Sequence, residues 1–323
     1  MSLCSWYIWV DNVLYSFKFH VEHELNLKPC LSIGKAIFMK EKKLYLITKD
    51  YSVSGEEFQL RYNNEFEMLE TYPQPNQEKL PLYYKSEDYI SHTGSKRNIF
   101  EKVYHFVKIF SIKRKLRLLR NVSPEGKTLL DVGCGTGDFL KAASKDKWDI
   151  AGIEPNINAR KLANLKTNNS VFDIDQLYNF KQNSLDTITL WHVLEHLPNT
   201  DEQMTILKSL LKQNGVLIVA VPNYKSHDAL YYKNYWAGYD VPRHLWHFSK
   251  SSISKIAERH KMKVMKTIPM FFDAYYVSLL SEKYKTGSLN PFKAFWTGLT
   301  SNLKAKRNGE YSSLIYIIKN QAN

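Results

Sequence analysis

The sequence predicts an α/β fold, a doubly wound parallel sheet preceded by a smaller α+β region, and three observations carry that prediction. Short apolar runs alternate with helical stretches from Thr128 onward, the pattern of strands covered on both faces by their own crossovers. A glycine-rich loop stands where the first of these runs gives way to a helical pattern. The chain has 323 residues, 44% of them hydrophobic, enough for one large core or two unequal ones. With 21 Tyr, 16 Phe and 7 Trp and no persistent heptad or triplet period, disorder, collagen and coiled coil are poor descriptions of the whole.

Taken in order, residues 1–38 show weak periodicity and read as an extension, with Met39 as a candidate true start. They lack the basic leader and cleavage site of a signal peptide, and no run of about 18 uncharged apolar residues occurs anywhere. Residues 39–123 form the smaller region. Alternating Leu44 and Leu46 and a segment containing Gly55 suggest short strands. Pro73, Pro75 and Pro81 punctuate an extended linker. A long helix follows, its apolar stripe drawn by Ile99, Val103, Phe106, Val107, Phe110, Ile112, Leu116 and Leu119. Pro124 and Gly126 mark the joint to the α/β domain, residues 124–323. Strands are expected at residues 128–132, 148–153, 171–174, 185–191 and 215–221. Beyond them come an aromatic loop to Phe248, a helix at residues 250–260, and strands at 262–266 and 312–318. Three cysteines, Cys4, Cys30 and Cys134, form no CxxC and no even-numbered framework. A reducing, cytoplasmic setting fits, without a disulfide scaffold or a cysteine-built zinc site.

The loop reads Asp131-Val132-Gly133-Cys134-Gly135-Thr136-Gly137-Asp138. Glycines at a strand-to-helix turn permit a tight bend and bring backbone N–H groups to a negatively charged ligand. A dinucleotide fingerprint would place a third glycine where Asp138 stands, so the spacing here is G-x-G-x-G instead. Glu154 ends the second strand about 20 residues after the first glycine, where a carboxylate accepts bonds from both ribose hydroxyls. Asp173 ends the third strand, and a carboxylate there can hold an adenine amino group.

These residues, together with Leu190-Trp191-His192-Val193-Leu194-Glu195-His196-Leu197 after the fourth strand, resemble the class I S-adenosylmethionine-dependent methyltransferases. The likeness is to bacterial methyltransferase-domain proteins related to the quinone-biosynthesis enzymes, and it covers Met39 to the C-terminus. It implies a Rossmann-like seven-stranded sheet whose last strand runs antiparallel. It implies S-adenosyl-L-methionine as cofactor, with Asp131, Gly133, Cys134, Gly135 and Gly137 around its amino-acid end. Glu154 would then meet its ribose, Asp173 its adenine, and Trp191 and His192 its sulfonium side. The likeness favours His196 as general base, with His192 and His244 as alternatives. Tyr89, His92, Tyr224, Arg243 and His247 are candidate acceptor contacts. Each of these imidazoles also has a structural reading, as a hydrogen-bonded packing residue.

Methyl transfer is an in-line displacement, so alignment and water exclusion come first and activation of the acceptor second. An imidazole near its usual pKa suits that second task. If residues 192–196 begin a helix, His192 and His196 share a face. The string His-Val-Leu-Glu-His misplaces the glutamate of H-E-x-x-H, so no metal is expected. The formal charge of +13 gathers on residues 96–120, nine Lys and Arg against Glu101, and on a second stretch between Lys250 and Arg307. No RNA-binding signature accompanies it. The expected partner is a small or lipid-like acceptor, with peripheral membrane contact through the basic helix open. A nucleic-acid-directed methyltransferase or a non-catalytic cofactor-binding module are the alternatives.

Overall fold

A computed structural model describes residues 42–76, 79, 82–83, 97–123 and 126–321, with side chains from residue 107 onward in the first helix. The expectations for residues 1–38, Tyr89 and His92 lie outside the described residues. Three strands open the chain, β1 (Leu44–Lys49), β2 (Glu57–Asn63) and β3 (Met68–Tyr72), followed by α1 (Arg97–Val122). The α/β part then runs β4 (Thr128–Val132), α2 (Asp138–Lys145), β5 (Asp149–Ile153), α3 (Ile157–Thr167), β6 (Val171–Phe172), β7 (Leu185–Trp191), α4 (Thr200–Leu210) and β8 (Leu211–Pro222). It finishes with α5 (His227–Tyr232), β9 (Trp246–His247), α6 (Lys250–Arg259), β10 (Met262–Pro269), α7 (Asp273–Thr286), α8 (Pro291–Asn308) and β11 (Ser313–Asn320).

The large sheet has seven strands in the order β10-β11-β8-β7-β4-β5-β6. β4 to β8 run parallel, and β11 lies antiparallel between β8 and β10. Its strands alternate in the two-residue period of a sheet buried on both sides. Leu130, Val132, Ile188, Leu190, Leu217 and Val219 pack beneath α4 and α6. Leu129, Ile218, Ala220, Ile315 and Ile317 pack on the other side with α1, α2 and α3. The strand order reverses between β4 and β7, and in such sheets the crevice at the carboxyl ends of the strands flanking that reversal takes the ligand.

Three differences from the sequence expectation have physical causes. The aromatic loop after β8 supplies β9, whose Trp246 and His247 pair with Glu70 and Leu69 of β3 to complete an antiparallel sheet β1-β2-β3-β9. Between β10 and β11, where the sequence pattern suggests no element, the chain forms α7 and α8; Pro291 starts α8 behind an Asn290 cap, and left-handed Gly287 and Gly309 close the pair. Finally, among the described side chains of the α1 stripe only Leu119 is fully buried. Phe110 of the stripe is 42% exposed, and its neighbour Ile109 is 54% exposed. The basic face of α1 is partly paired: Lys108 meets Asp138 at 2.6 Å, and Arg120 grips Asp146 through two bonds.

Candidate functional site

The loop after β4 turns on three left-handed glycines, with φ of 70° at Gly133, 56° at Gly135 and 73° at Gly137. A Cβ on Gly137 would lie 2.9 Å from the Ala163 backbone, so the third glycine is also what lets α2 pack on α3. The amides of Gly133 and Cys134 both donate to the Ile153 carbonyl, at 2.8 and 3.0 Å, which closes the turn against β5. Cys134 contributes backbone only. Its thiol is buried near Leu140 and Gly152, and burial pushes its pKa up, so it is no nucleophile.

Three carboxylates stand at the ends of the first three parallel strands. Asp131 is fully buried; Oδ1 accepts from Thr189 at 2.6 Å, and Oδ2 has no hydrogen-bond partner among the described residues. Burial pushes its carboxyl up, against the pull of the Lys115 ammonium. Glu154 is 2% exposed and accepts from the amides of Gly135 at 2.8 Å and Asn156 at 2.9 Å. Burial raises its carboxyl to about 7 despite those bonds. Asp173 caps the following turn through Ile174 N at 2.7 Å and pairs with Arg160 at 2.8 Å, its side chain 43% exposed.

Beside them a cavity of about 200 Å³ opens between α1 and the β10–α7 corner, lined by Phe110, Lys115, Trp191, Phe271, Phe272 and Asp273 among others. Lys115 lies over the Trp191 ring, 4.3 Å from its centroid, and burial lowers its pKa against the attraction of Asp131 and Asp273. The indole Nε1 of Trp191 is buried and has no hydrogen-bond partner among the described residues. His192 is left-handed, with φ of 57°. Its Nε2 faces Asp273 at 3.2 Å and its Nδ1 faces Glu195 at 3.4 Å. Burial alone would lower this imidazole's pKa, but the two carboxylates outweigh it and raise it to about 9.

His192 is therefore an imidazolium at neutral pH and not a waiting base. Because its folded pKa lies above the unfolded value near 6.5, its stabilisation is complete below that value and lost as pH rises through about 9. Urea titrations of wild type and His192→Gln should thus differ by roughly 3 kcal/mol at pH 6 and converge by about pH 10. A pH-independent difference would contradict the two-carboxylate clamp.

The other imidazoles are packed elsewhere. Residues 194–196 form a single 3-10 turn rather than a helix start, so the expected shared face of His192 and His196 is not formed. His196 is fully buried, its Nδ1 2.9 Å from the Arg243 carbonyl, and burial and His244 hold its pKa well below the usual value. His244 bonds the Gly238 carbonyl at 3.0 Å, and its ring centroid lies 4.5 Å from that of His196. Glu195, His196 and His244 bring ligand-capable atoms within 4.8 Å of one another in this sealed interior. His247 meets Thr71 Oγ1 at 3.0 Å across the small sheet.

Of the residues expected at the acceptor pocket, Tyr224, Arg243 and His247 instead form the seam to the N-terminal sheet. The Tyr224 hydroxyl donates to the Glu67 carbonyl at 3.1 Å. Arg243 is 3% exposed and wholly engaged with Asp240, Asp50, Ser52 and the Tyr83 carbonyl. Conversely, Lys115 and Asp273 lie at the cavity and were not singled out by sequence. Lys115 is one of nine basic residues in its stretch, and Asp273 starts a helix whose N-cap, Phe272, makes no side-chain capping bond.

Known proteins resemble parts of this chain in sequence. The sequence profile of the methyltransferase-domain family matches residues 104–266. Ubiquinone biosynthesis O-methyltransferase of Actinobacillus pleuropneumoniae is 32% identical over 109 residues, covering 30% of this chain and 47% of that protein. Demethylmenaquinone methyltransferase of Bacillus licheniformis is 30% identical over 133 residues, covering 35% and 55%. The chain spans about half the length of the curated relatives it matches. Among solved structures, a putative sarcosine dimethylglycine methyltransferase from Galdieria sulphuraria aligns with a TM-score of 0.47 at 14% identity, over 67% of this chain and 86% of that one. The profile match takes in the glycine loop, Glu154, Asp173 and the segment after β7, and half of the sequence lies within it: the chain belongs to the methyltransferase-domain family.

Proposed function

We propose that the protein is an S-adenosylmethionine-dependent methyltransferase acting on a small or lipid-like acceptor, with residues 124–323 as the cofactor-binding domain and α1 covering the crevice. The observation that carries the reading is the left-handed glycine turn after β4 facing the buried carboxylate of Glu154 at the end of β5.

The residues fit the cofactor. Asp131 Oδ2 and Trp191 Nε1 are buried polar atoms without hydrogen-bond partners among the described residues, the kind of group a bound polar ligand satisfies. In this reading the backbone of residues 133–137 and Asp131 hold the amino-acid end, Glu154 the ribose and Asp173 the adenine end, with Trp191 beside the sulfonium. When bound, the cofactor supplies an activated methyl group. Hydroxyls donating to Glu154 favour its ionised form and pull its carboxyl back below about 7. The His192 cation fixes Asp273 and Glu195 in place, while Asp273 and Lys115 present the cavity's polar groups to an acceptor. Burial of Lys115 enlarges its neutral fraction, which suits it to receive a proton.

Relatives named for ubiquinone biosynthesis and for demethylmenaquinone support a lipid-like acceptor. Incubating the protein with methyl-labelled S-adenosylmethionine and phenols, quinone precursors, carboxylates or lipid extracts should transfer label into an organic-soluble product. Cofactor binding without transfer to any of these would favour a non-catalytic module.

A further inference from the structure

We propose that an aromatic ridge running from the cavity mouth along α8 docks the protein onto an anionic lipid surface. The ridge is built from two groups of touching rings, joined along the chain by the first turn of α7. Phe110 of α1 meets Phe272 edge-on at 5.4 Å; Tyr275, on the next turn, stacks on Phe295 at 5.5 Å; and Trp296 lies 5.8 Å from Phe295 and 6.1 Å from Phe292. Among the described residues these rings stay uncovered: Phe292 is 75% exposed, and Phe295 and Trp296 are each 51% exposed. A contiguous apolar patch of this kind marks an interaction surface.

Its chemistry selects the partner. Rings of Phe and Trp flanked by cations suit the headgroup and acyl boundary of a bilayer. Helix α8 carries Lys293, Lys304, Lys306 and Arg307 and no acid. Glu282, which pairs with Lys293 at 3.3 Å, is itself buried. Lys113 and Arg117 of α1 add two exposed cations near Phe110. No described helix is long and apolar enough to cross a membrane, so the contact is peripheral. Phe110 and Phe272 also line the cavity. Given the methyltransferase reading above, docking there would let an acceptor held in the lipid enter without crossing water.

The test is sedimentation of the full chain with phosphatidylcholine vesicles, with and without about one third phosphatidylglycerol. Wild type should partition to the anionic vesicles. Phe292→Ser with Trp296→Ser should weaken that partition by at least about tenfold, and Lys306→Glu with Arg307→Glu should act in the same direction. Both variants should keep wild-type circular dichroism and cofactor affinity. Absence of wild-type binding, or binding unchanged by both variants, overturns the proposal. So does a wild-type dimer that the aromatic variant converts to monomer without any lipid binding, because a second copy then covers the ridge. Vesicle binding by a chain that fails to bind S-adenosylmethionine would sink the methyltransferase reading and leave the docking surface intact.

Discussion

Arg243→Ala is expected to cost about 3–5 kcal/mol of folding stability, the range for removing one partner from a buried ion cluster. The guanidinium meets Asp240 at 2.7 and 3.0 Å, Asp50 at 3.0 Å and the Tyr83 carbonyl at 2.7 Å. Asp50 and Asp240 are 1% and 8% exposed, so neither regains water when the cation goes. Burial by itself would raise the Asp50 carboxyl, but Arg243, Ser54 and Ser52 hold it below its ordinary value. Such a group stabilises the fold above its unfolded pKa and loses that contribution as pH falls through the folded one. The gap between wild type and variant should therefore be widest at pH 7 and shrink in acid. At pH 7 a thermal melt should show a fall of roughly 5–10 °C. An unchanged melting temperature would mean that the seam between the small sheet and the α/β domain is held by something other than this cluster.

Gly137→Val is expected to weaken S-adenosylmethionine binding by at least about tenfold and to lower thermal stability as well. Its φ of 73° costs an L-residue about 1–2 kcal/mol. The added Cβ would press on Ala163 Cα at 2.9 Å, a backbone atom of α3 that no rotamer change relieves. Either the loop leaves its left-handed turn or α2 separates from α3, and both re-aim the amides at the end of β4. Gly137→Ala should act in the same direction with a smaller effect. Calorimetry paired with thermal melts checks this; wild-type affinity in the valine variant would remove the glycine turn from the binding site.

The large sheet was legible because its physics is local. Apolar runs of five to seven residues such as Thr128–Val132 and Leu185–Trp191 are strands buried on both faces, and the loop glycines are required by positive φ. The resemblance supplied the seventh, antiparallel strand, and β11 occupies that place. The acceptor side was harder because sequence spacing does not report which wall a side chain faces. The Arg-His-x-x-His-Phe string from Arg243 to Phe248 has the composition of a site, yet its partners Asp50 and Thr71 are more than 170 residues away. Those contacts make it a seam. His192 and His196 are four residues apart, but a left-handed residue followed by one 3-10 turn separates their environments into a doubly paired cation and a sealed neutral ring. Lys115 and Asp273 were hidden for the converse reason. Each sits in an ordinary helical context, and only tertiary packing brings both to the Trp191 cavity.

Calorimetric titration of S-adenosylmethionine into wild type and Gly135→Val asks whether the loop after β4, with Glu154, holds the cofactor. Gly135 is left-handed and its amide donates to Glu154, so a β-branched residue there disturbs both the turn and the carboxylate's bonding. Saturable one-site binding to wild type, weakened at least about tenfold in the variant, is the predicted result. Absence of binding to wild type, or equal affinity in the two proteins, would contradict it.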